Sequence, residues 1–335
     1  MKLHESKQDF IDLIEAAAQH LRLRPVFVEK DYWVTYVLRN LSQSVHRGNV
    51  VFKGGTSLSK AYNLIERFSE DIDLAVLSPG EYTDAKMKAL LKRIAADITG
   101  GLTLIDGHPS EVKFGKNRTT AYQYPEALDN PDFGVVKDYI LLEINCFTNP
   151  VPYNERKIQS YAAQYLQQAN SADLIAEYEL EPFTINALSL ERTYIEKVLS
   201  VNRLSYTGKE ALMEKVRHFY DIHQLQSSPA LKDRILTPAY FDLLLAARKD
   251  DENNRTMQGE WRNKRLAESP LFSDLENQWN AVAPTYQKDM TDLVWAKTIP
   301  KPEEIQETLK ALKSFLQSFD ETHPPLTGDV TLNEG

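Results

Sequence analysis

Two aspartates one residue apart, Asp71 and Asp73, lie in the segment EDIDLAVL. Polar and apolar residues alternate there, which predicts a strand with Ile72 and Leu74 on one face and both carboxylates on the other. Like charges held that close shift one another's pKa unless something positive sits between them. A divalent cation such as Mg2+ or Mn2+ resolves the conflict, because it takes oxygen ligands and keeps positions open for phosphate oxygens. The solvated face of an edge strand would carry the same pair with no chemical role. A third carboxylate, Glu143, interrupts the apolar run YILLEINCF, where an unpaired charge is costly. It is a candidate third metal ligand or a base for an acceptor hydroxyl. In phase with Leu141 and Asn145, it could equally belong to a surface face.

Upstream of the acidic pair stands Gly54-Gly55-Thr56-Ser57, followed by LSKAYNLIER. Two glycines let a backbone approach a bulky ligand closely, and the N–H groups at a helix start suit a phosphate. Thr56 or Ser57 can cap the helix, with Leu58, Tyr62 and Ile65 on its apolar face. Lys60, three residues past Ser57, is a further candidate phosphate contact and equally a surface lysine. Gly-Gly before a helix is also a common plain turn. The case for chemistry rests on the acidic pair following the diglycine turn by one helix.

These residues need a scaffold. Val50-Val51-Phe52 reads as a buried strand, and Lys137–Phe147 as another, rich in β-branched and aromatic residues. Short strands are predicted at 102–106, 111–115 and 118–124. Helices are predicted at 5–22, 28–41, 82–98 and 153–168, and FTINAL reads as a last strand. From Ser189 on, helix follows helix, at about 190–204, 208–226, 238–248, 271–281 and 302–319, with Asp250–Arg265 as a charged loop. The fold class is therefore α/β (α+β): a mixed sheet with flanking helices, then a helical domain. The expected division is 1–185, 186–320 and a frayed tail over 321–335.

Composition narrows the class. The 335 residues carry a net charge of −9, which argues against coating nucleic acid through a globally basic surface. A local basic groove remains open, since charges are screened over about 10 Å. The one cysteine, Cys146, lies in an apolar stretch, excludes an internal disulfide and fits a reducing cytosol. MKLHESKQDF has charge where a signal peptide needs an apolar core, and no stretch approaches a membrane span. A soluble cytoplasmic protein is expected.

KGGTSLSK followed by RFSEDIDLAV resembles the AbiEii/AbiGii group of nucleotidyltransferase toxins, found in toxin–antitoxin and phage-abortive systems. EKDYWVTYVL, LERTYIEKVLSVNR and RHFYDIHQL are similar to that group too, so the resemblance covers about residues 25–225. It implies a minimal nucleotidyltransferase sheet domain followed by a helical domain. Gly54, Gly55 and Ser57, with Thr56 between them, would meet the triphosphate, and Asp71 and Asp73 would hold Mg2+. Ser69 would sit at the active centre, where some relatives accept a phosphate or nucleotide. Lys197 matches a nucleotide-binding lysine, and Asp221 a late acidic residue that some relatives need; Glu143 matches less securely. From the residues alone, Lys197 could be a solvated helix lysine, and Asp221 could pair with Arg217 at i, i+4 or orient Lys197 or Ser69. His218 and His223 carry no expected catalytic role.

The reaction implied is attack of a hydroxyl on the α-phosphorus of an NTP, with pyrophosphate leaving. The resemblance points to RNA as acceptor, in particular the tRNA 3′ end, and to a cognate antitoxin. Two basic groups could line a groove: Arg192, Lys197, Arg203, Lys209, Lys215 and Arg217; and Arg248, Lys249, Arg255, Arg262, Lys264 and Arg265, with Trp261 for base stacking. Interspersed acids make a solvated ionic surface an equal reading. Transfer of a nucleotide or phosphate to a protein hydroxyl, Ser69 included, and a non-catalytic NTP-binding module remain alternatives.

Overall fold

The computed structural model describes residues 1–77, 83–128, 136–254, 257–296 and 298–324. They divide into two units: a sheet unit of Met1–Ser189 with Leu293–Ala296, and a helical unit of Leu190–Asp292 with the described chain beyond 297.

In chain order the sheet unit runs α1 (Lys7–Leu21), α2 (Pro25–Gln43), β1 (Val50–Lys53), α3 (Gly54–Lys60), β2 (Ile72–Val76), α4 (Asp84–Ile98), β3 (Thr103–Ile105), β4 (Val112–Phe114), β5 (Asn117–Gln123), β6 (Ile140–Asn145), β7 (Tyr153–Ile158), α5 (Tyr161–Gln168), α6 (Ala172–Glu177) and β8 (Phe183–Leu188). The strands form one mixed sheet in the order β3-β5-β6-β2-β1-β8-β7, with β4 on β5. β2 pairs antiparallel with β1 and parallel with β6.

Alternation sorts the central strands into two faces. Phe52, Ile72, Leu74, Leu142 and Ile144 bury themselves in a core with Trp33, Val37 and Leu38 of α2 and Leu91 and Ile94 of α4. Asp73 and Glu143 therefore belong to the opposite face. The helices follow their amphipathic spacing: α1 buries Phe10, Leu13, Ile14, Ala17 and Ala18, and ends on Arg22 in the left-handed conformation.

Three consecutive charged residues of α2, Glu29, Lys30 and Asp31, are all buried. Successive helix residues point about 100° apart, so α2 is surrounded here rather than lying on a surface. Each charge has its own partner. Glu29 Oε1 accepts the Ala127 N–H at 2.7 Å, Lys30 pairs with Glu70, and Asp31 pairs with Lys60 and accepts the Tyr161 N–H at 2.8 Å. Burial pushes the Glu29 carboxyl above the usual range, its backbone hydrogen bond opposing.

Several expectations need correction. The span 153–168 is not one helix: β7 is a strand on β8, and a helix starts only after Ser160, whose hydroxyl accepts the Ala163 N–H. The run Asn154–Lys157 is polar because β7 is the sheet edge, where charged residues discourage further pairing. α3 starts at Gly54 and ends at Lys60, so neither Thr56 nor Ser57 caps it, and Tyr62 and Ile65 lie beyond it.

The helical unit contains α7 (Leu190–Ser205), α8 (Lys209–Glu214), α9 (Val216–Ser227), α10 (Phe241–Asn253), α11 (Pro270–Ser273), α12 (Leu275–Leu293) and α13 (Pro302–Thr322). The helix expected over 208–226 breaks at Lys215. α10 runs into the charged stretch expected as a loop, because Asp250 and Asp251 are neutralised by Arg192 and Arg203 of α7. α13 continues to Thr322. Residue 82, Arg255 and 325–335 lie outside the described residues. Among those described, no helix is long and apolar enough to cross a membrane.

Candidate active site

The pairing register brings distant residues into one row. Lys53 of β1 stands beside Asp73 of β2, Asp73 beside Glu143 of β6, and Glu143 beside Thr119 of β5. Asp73 and Glu143 are both half-buried on the face away from the helix-covered core. A hard-oxygen pair results, with a lysine on the flanking strand. Among the described residues, however, no group of three or more His, Cys, Asp or Glu is gathered closely enough to hold a metal ion.

The turn after β1 fits the Asp73 carboxylate closely. Gly54 has φ +77°, and a Cβ built there would stand 1.9 Å from Asp73 Oδ2. Only glycine gives both the left-handed backbone and the missing side chain. A Cβ on Gly55 would come within 2.7 Å of Arg67 Nη2 and 2.8 Å of Ser69 Oγ. The Thr56 hydroxyl donates to the Asp71 carbonyl at 2.6 Å and lies 3.0 Å from the Ser69 hydroxyl. Ser57, fully buried, donates to the Gly54 carbonyl at 2.9 Å. Thr56 and Ser57 thus direct their hydroxyls into the turn and shape it, while Gly54, Gly55 and Ser69 are half-buried.

Residues 66–68 are held from the far end of the chain. Phe68 N–H donates to the Leu293 carbonyl at 2.9 Å, and Trp295 N–H to the Glu66 carbonyl at 3.0 Å. This short bridge, between Arg67 and Val294, fixes the approach to Ser69 and Asp71.

Asp71 does not point into bulk water alone. Its Oδ1 accepts from Lys137 Nζ at 2.8 Å. The Lys137 N–H donates to Glu70 Oε2 at 3.1 Å, and the buried Lys30 ammonium reaches both that carboxylate, at 2.5 Å, and the Lys137 carbonyl. Burial pushes the Lys30 ammonium down and the Glu70 carboxyl up, their mutual attraction opposing. Lys60 is engaged elsewhere: its ammonium is buried against Asp31 and also donates to the Gln159 carbonyl at 3.2 Å.

In the helical unit, Lys197 Nζ stands 2.7 Å from Asp221 Oδ2, and both side chains are buried. The pair joins α7 to α9. Part of both basic groups is internal. Arg192 pairs with Glu196 and Asp250, and Arg203 with Asp251. Arg248 donates to the Arg262 and Lys264 carbonyls, and Arg262 to those of Asn254 and Met257. Trp261 is buried, with Arg203 and Arg262 over its ring, and does not offer an open stacking face. Lys209, Lys215, Lys249, Lys264 and Arg265 are exposed.

Comparison with known proteins accords with this arrangement. The family described as "Nucleotidyl transferase AbiEii toxin, Type IV TA system" matches residues 36–325. The chain belongs to this AbiEii nucleotidyltransferase toxin family. The match runs well past residue 225, where the motifs thin out, and so takes in most of the helical unit. This AbiEii protein is also similar in fold to MenT4, a nucleotidyltransferase toxin from Mycobacterium tuberculosis H37Rv. The TM-score is 0.54 at 16% identity, over 93% of this chain and 95% of that one. No curated protein sequence matches it. As an AbiEii member the chain is a nucleotidyltransferase of a toxin–antitoxin system, not a bare NTP-binding module, and an NTP and an antitoxin are its implied partners.

Sequence reasoning missed four residues around the AbiEii acidic pair: Lys53, Lys137, Lys30 and Glu70. Two carried a signal. Lys53 opens the KGGTSLSK motif, and Lys137 opens the segment read from sequence as the strand of Glu143, three residues before that strand begins. Lys30 and Glu70 gave none, since their pairing joins segments far apart in sequence.

Proposed function

We propose that this AbiEii enzyme transfers a nucleoside monophosphate from an NTP to a hydroxyl at the 3′ end of an RNA, in particular a tRNA, with the help of Mg2+. One observation carries the reading. The diglycine turn closes directly on the Asp73 carboxylate, and the same register sets Glu143 beside it. A triphosphate approaching the half-buried backbone of Gly54 and Gly55 would therefore come close to two hard-oxygen donors.

The donor set fits a divalent cation in kind. All three groups are carboxylates, and the lysine ammonium on Asp71 acts as a stand-in, marking a place that draws positive charge. Asp71 and Asp73 would hold the ion, with Glu143 as third ligand or as acceptor of the hydroxyl proton. When bound, such an ion draws charge from the phosphate oxygens and lowers the cost of the charge that builds on the leaving pyrophosphate. The chain's own residues do the rest: Gly54 and Gly55 admit the phosphates, and Thr56 and Ser57 hold the turn open. The family resemblance adds Lys197, fixed by Asp221, as the lysine that serves the nucleotide. The exposed Lys209, Lys215, Lys249, Lys264 and Arg265 support a salt-dependent hold on RNA phosphates.

The test is to incubate the purified enzyme with tRNA and each NTP in turn, then measure the mass of the RNA 3′ fragment. Growth by one or more nucleotides is expected with at least one NTP; unchanged RNA with all four contradicts the reading. A second reading has its own observation. The half-buried Ser69 hydroxyl stands beside the turn, in contact with Thr56, so it could accept the nucleotide itself. Intact-protein mass after the same incubation separates the two, since only self-modification adds mass to the chain.

A further inference from the structure

The Asp71 carboxylate already has a cation in place. Lys137 Nζ lies 2.8 Å from Asp71 Oδ1, with 33% and 32% of the two side chains exposed. The lysine is not a loose surface arm, because its backbone is held from both sides. Glu70 Oε2 accepts its N–H, and Lys30, buried and paired with that same carboxylate, donates to its carbonyl. Its ammonium also stands 5.9 Å from the centre of the Tyr139 ring, an attractive distance for a cation near an aromatic face.

An ammonium and a divalent ion on the same carboxylate repel each other, so each weakens the other's hold on Asp71. We propose that Lys137 is the resident counter-ion of the acidic site and competes directly with the divalent metal for Asp71. The inference rests on Asp71 and Asp73 being the metal ligands. It gives Lys137 a positioning role: in the absence of metal it neutralises Asp71, and it lowers the affinity of that carboxylate for the metal. The buried Lys30–Glu70 pair fixes where that ammonium stands.

The experiment measures Mn2+ binding to the nucleotide-free protein, from the electron paramagnetic resonance signal of the free ion. Lys137→Met removes the competitor, and its Mn2+ Kd is expected to fall about fivefold, the upper end for a half-exposed ion pair. Lys137→Arg keeps the charge and should stay close to wild type, which also controls for folding. On an Asp71→Asn background the effect of Lys137→Met should disappear, because the shared ligand is gone. Unchanged or weaker Mn2+ binding by Lys137→Met, with wild type binding normally, overturns this inference alone. No Mn2+ bound by either wild type or Lys137→Met overturns the metal reading beneath it as well.

Discussion

Replacing Gly54 by alanine adds a single methyl group at the point where the turn meets the acid. Two costs follow. At φ +77° an L-residue is in the left-handed region, which costs about 1–2 kcal/mol. The new Cβ would also stand 1.9 Å from Asp73 Oδ2 and 2.7 Å from its Cγ, whereas ordinary contact begins near 3.4 Å. The carboxylate must therefore move by roughly 1.5 Å, and a misplacement of about 1 Å at reacting groups can cost on the order of 10²-fold. Asp73 is half-buried and can rotate aside, so stability should fall by little more than the backbone strain, a drop in Tm of about 2–8 °C. Transfer should fall at least about 10²-fold. The assay pairs thermal unfolding with single-turnover nucleotide transfer, beside Gly48→Ala, where an added Cβ meets nothing within 4 Å. A Gly54→Ala enzyme with wild-type turnover would refute the placement of Asp73 in the chemistry.

Lys30→Met leaves the Glu70 carboxyl buried without its partner, and should cost about 3–5 kcal/mol in denaturant unfolding; a loss under 1 kcal/mol would mean the pair is not closed in solution. Burial pushes the Cys146 thiol up to about 11, so the native protein at pH 8 should react with iodoacetamide far more slowly than the unfolded chain, as read by intact mass. Burial holds the His223 imidazole below its ordinary range, so the folded state binds its proton less well than the unfolded state. Its contribution to stability is complete above pH 6.5 and is lost as the pH falls through the lower folded value. His223→Gln, which keeps a partner for Thr308, should flatten the decline in stability below pH 6.5; an unchanged slope would assign that decline to other groups.

Local patterns carried the parts of the site that one strand or one turn determines. The alternation in DIDLAVL put Asp73 opposite Ile72 and Leu74, while Asp71 lies just before the strand, and the phase of Glu143 put it on a single face of its strand. What periodicity could not give was register. That Glu143 lies beside Asp73, and Lys53 on the other side of it, is decided by pairing between β1, β2 and β6. Charged residues were the least legible. Lys60 and Arg248 look like surface residues by type, yet both are buried against partners from distant segments. Charge also disguised β7, whose Asn154–Lys157 run has the composition of an exposed helix and the position of a sheet edge.

Parallel reactions with α-labelled and γ-labelled NTP decide whether the acidic pair drives nucleotidyl rather than phosphoryl transfer. Label from the α-phosphate should appear on the acceptor with the wild-type enzyme. It should be lost in Asp71→Asn and Asp73→Asn proteins that unfold at the wild-type temperature, and the γ-label should leave as pyrophosphate with the wild-type enzyme and stay on the NTP with both variants. Acceptor carrying the γ-label, or full α-label transfer by both variants, would contradict nucleotidyl transfer by the acidic pair.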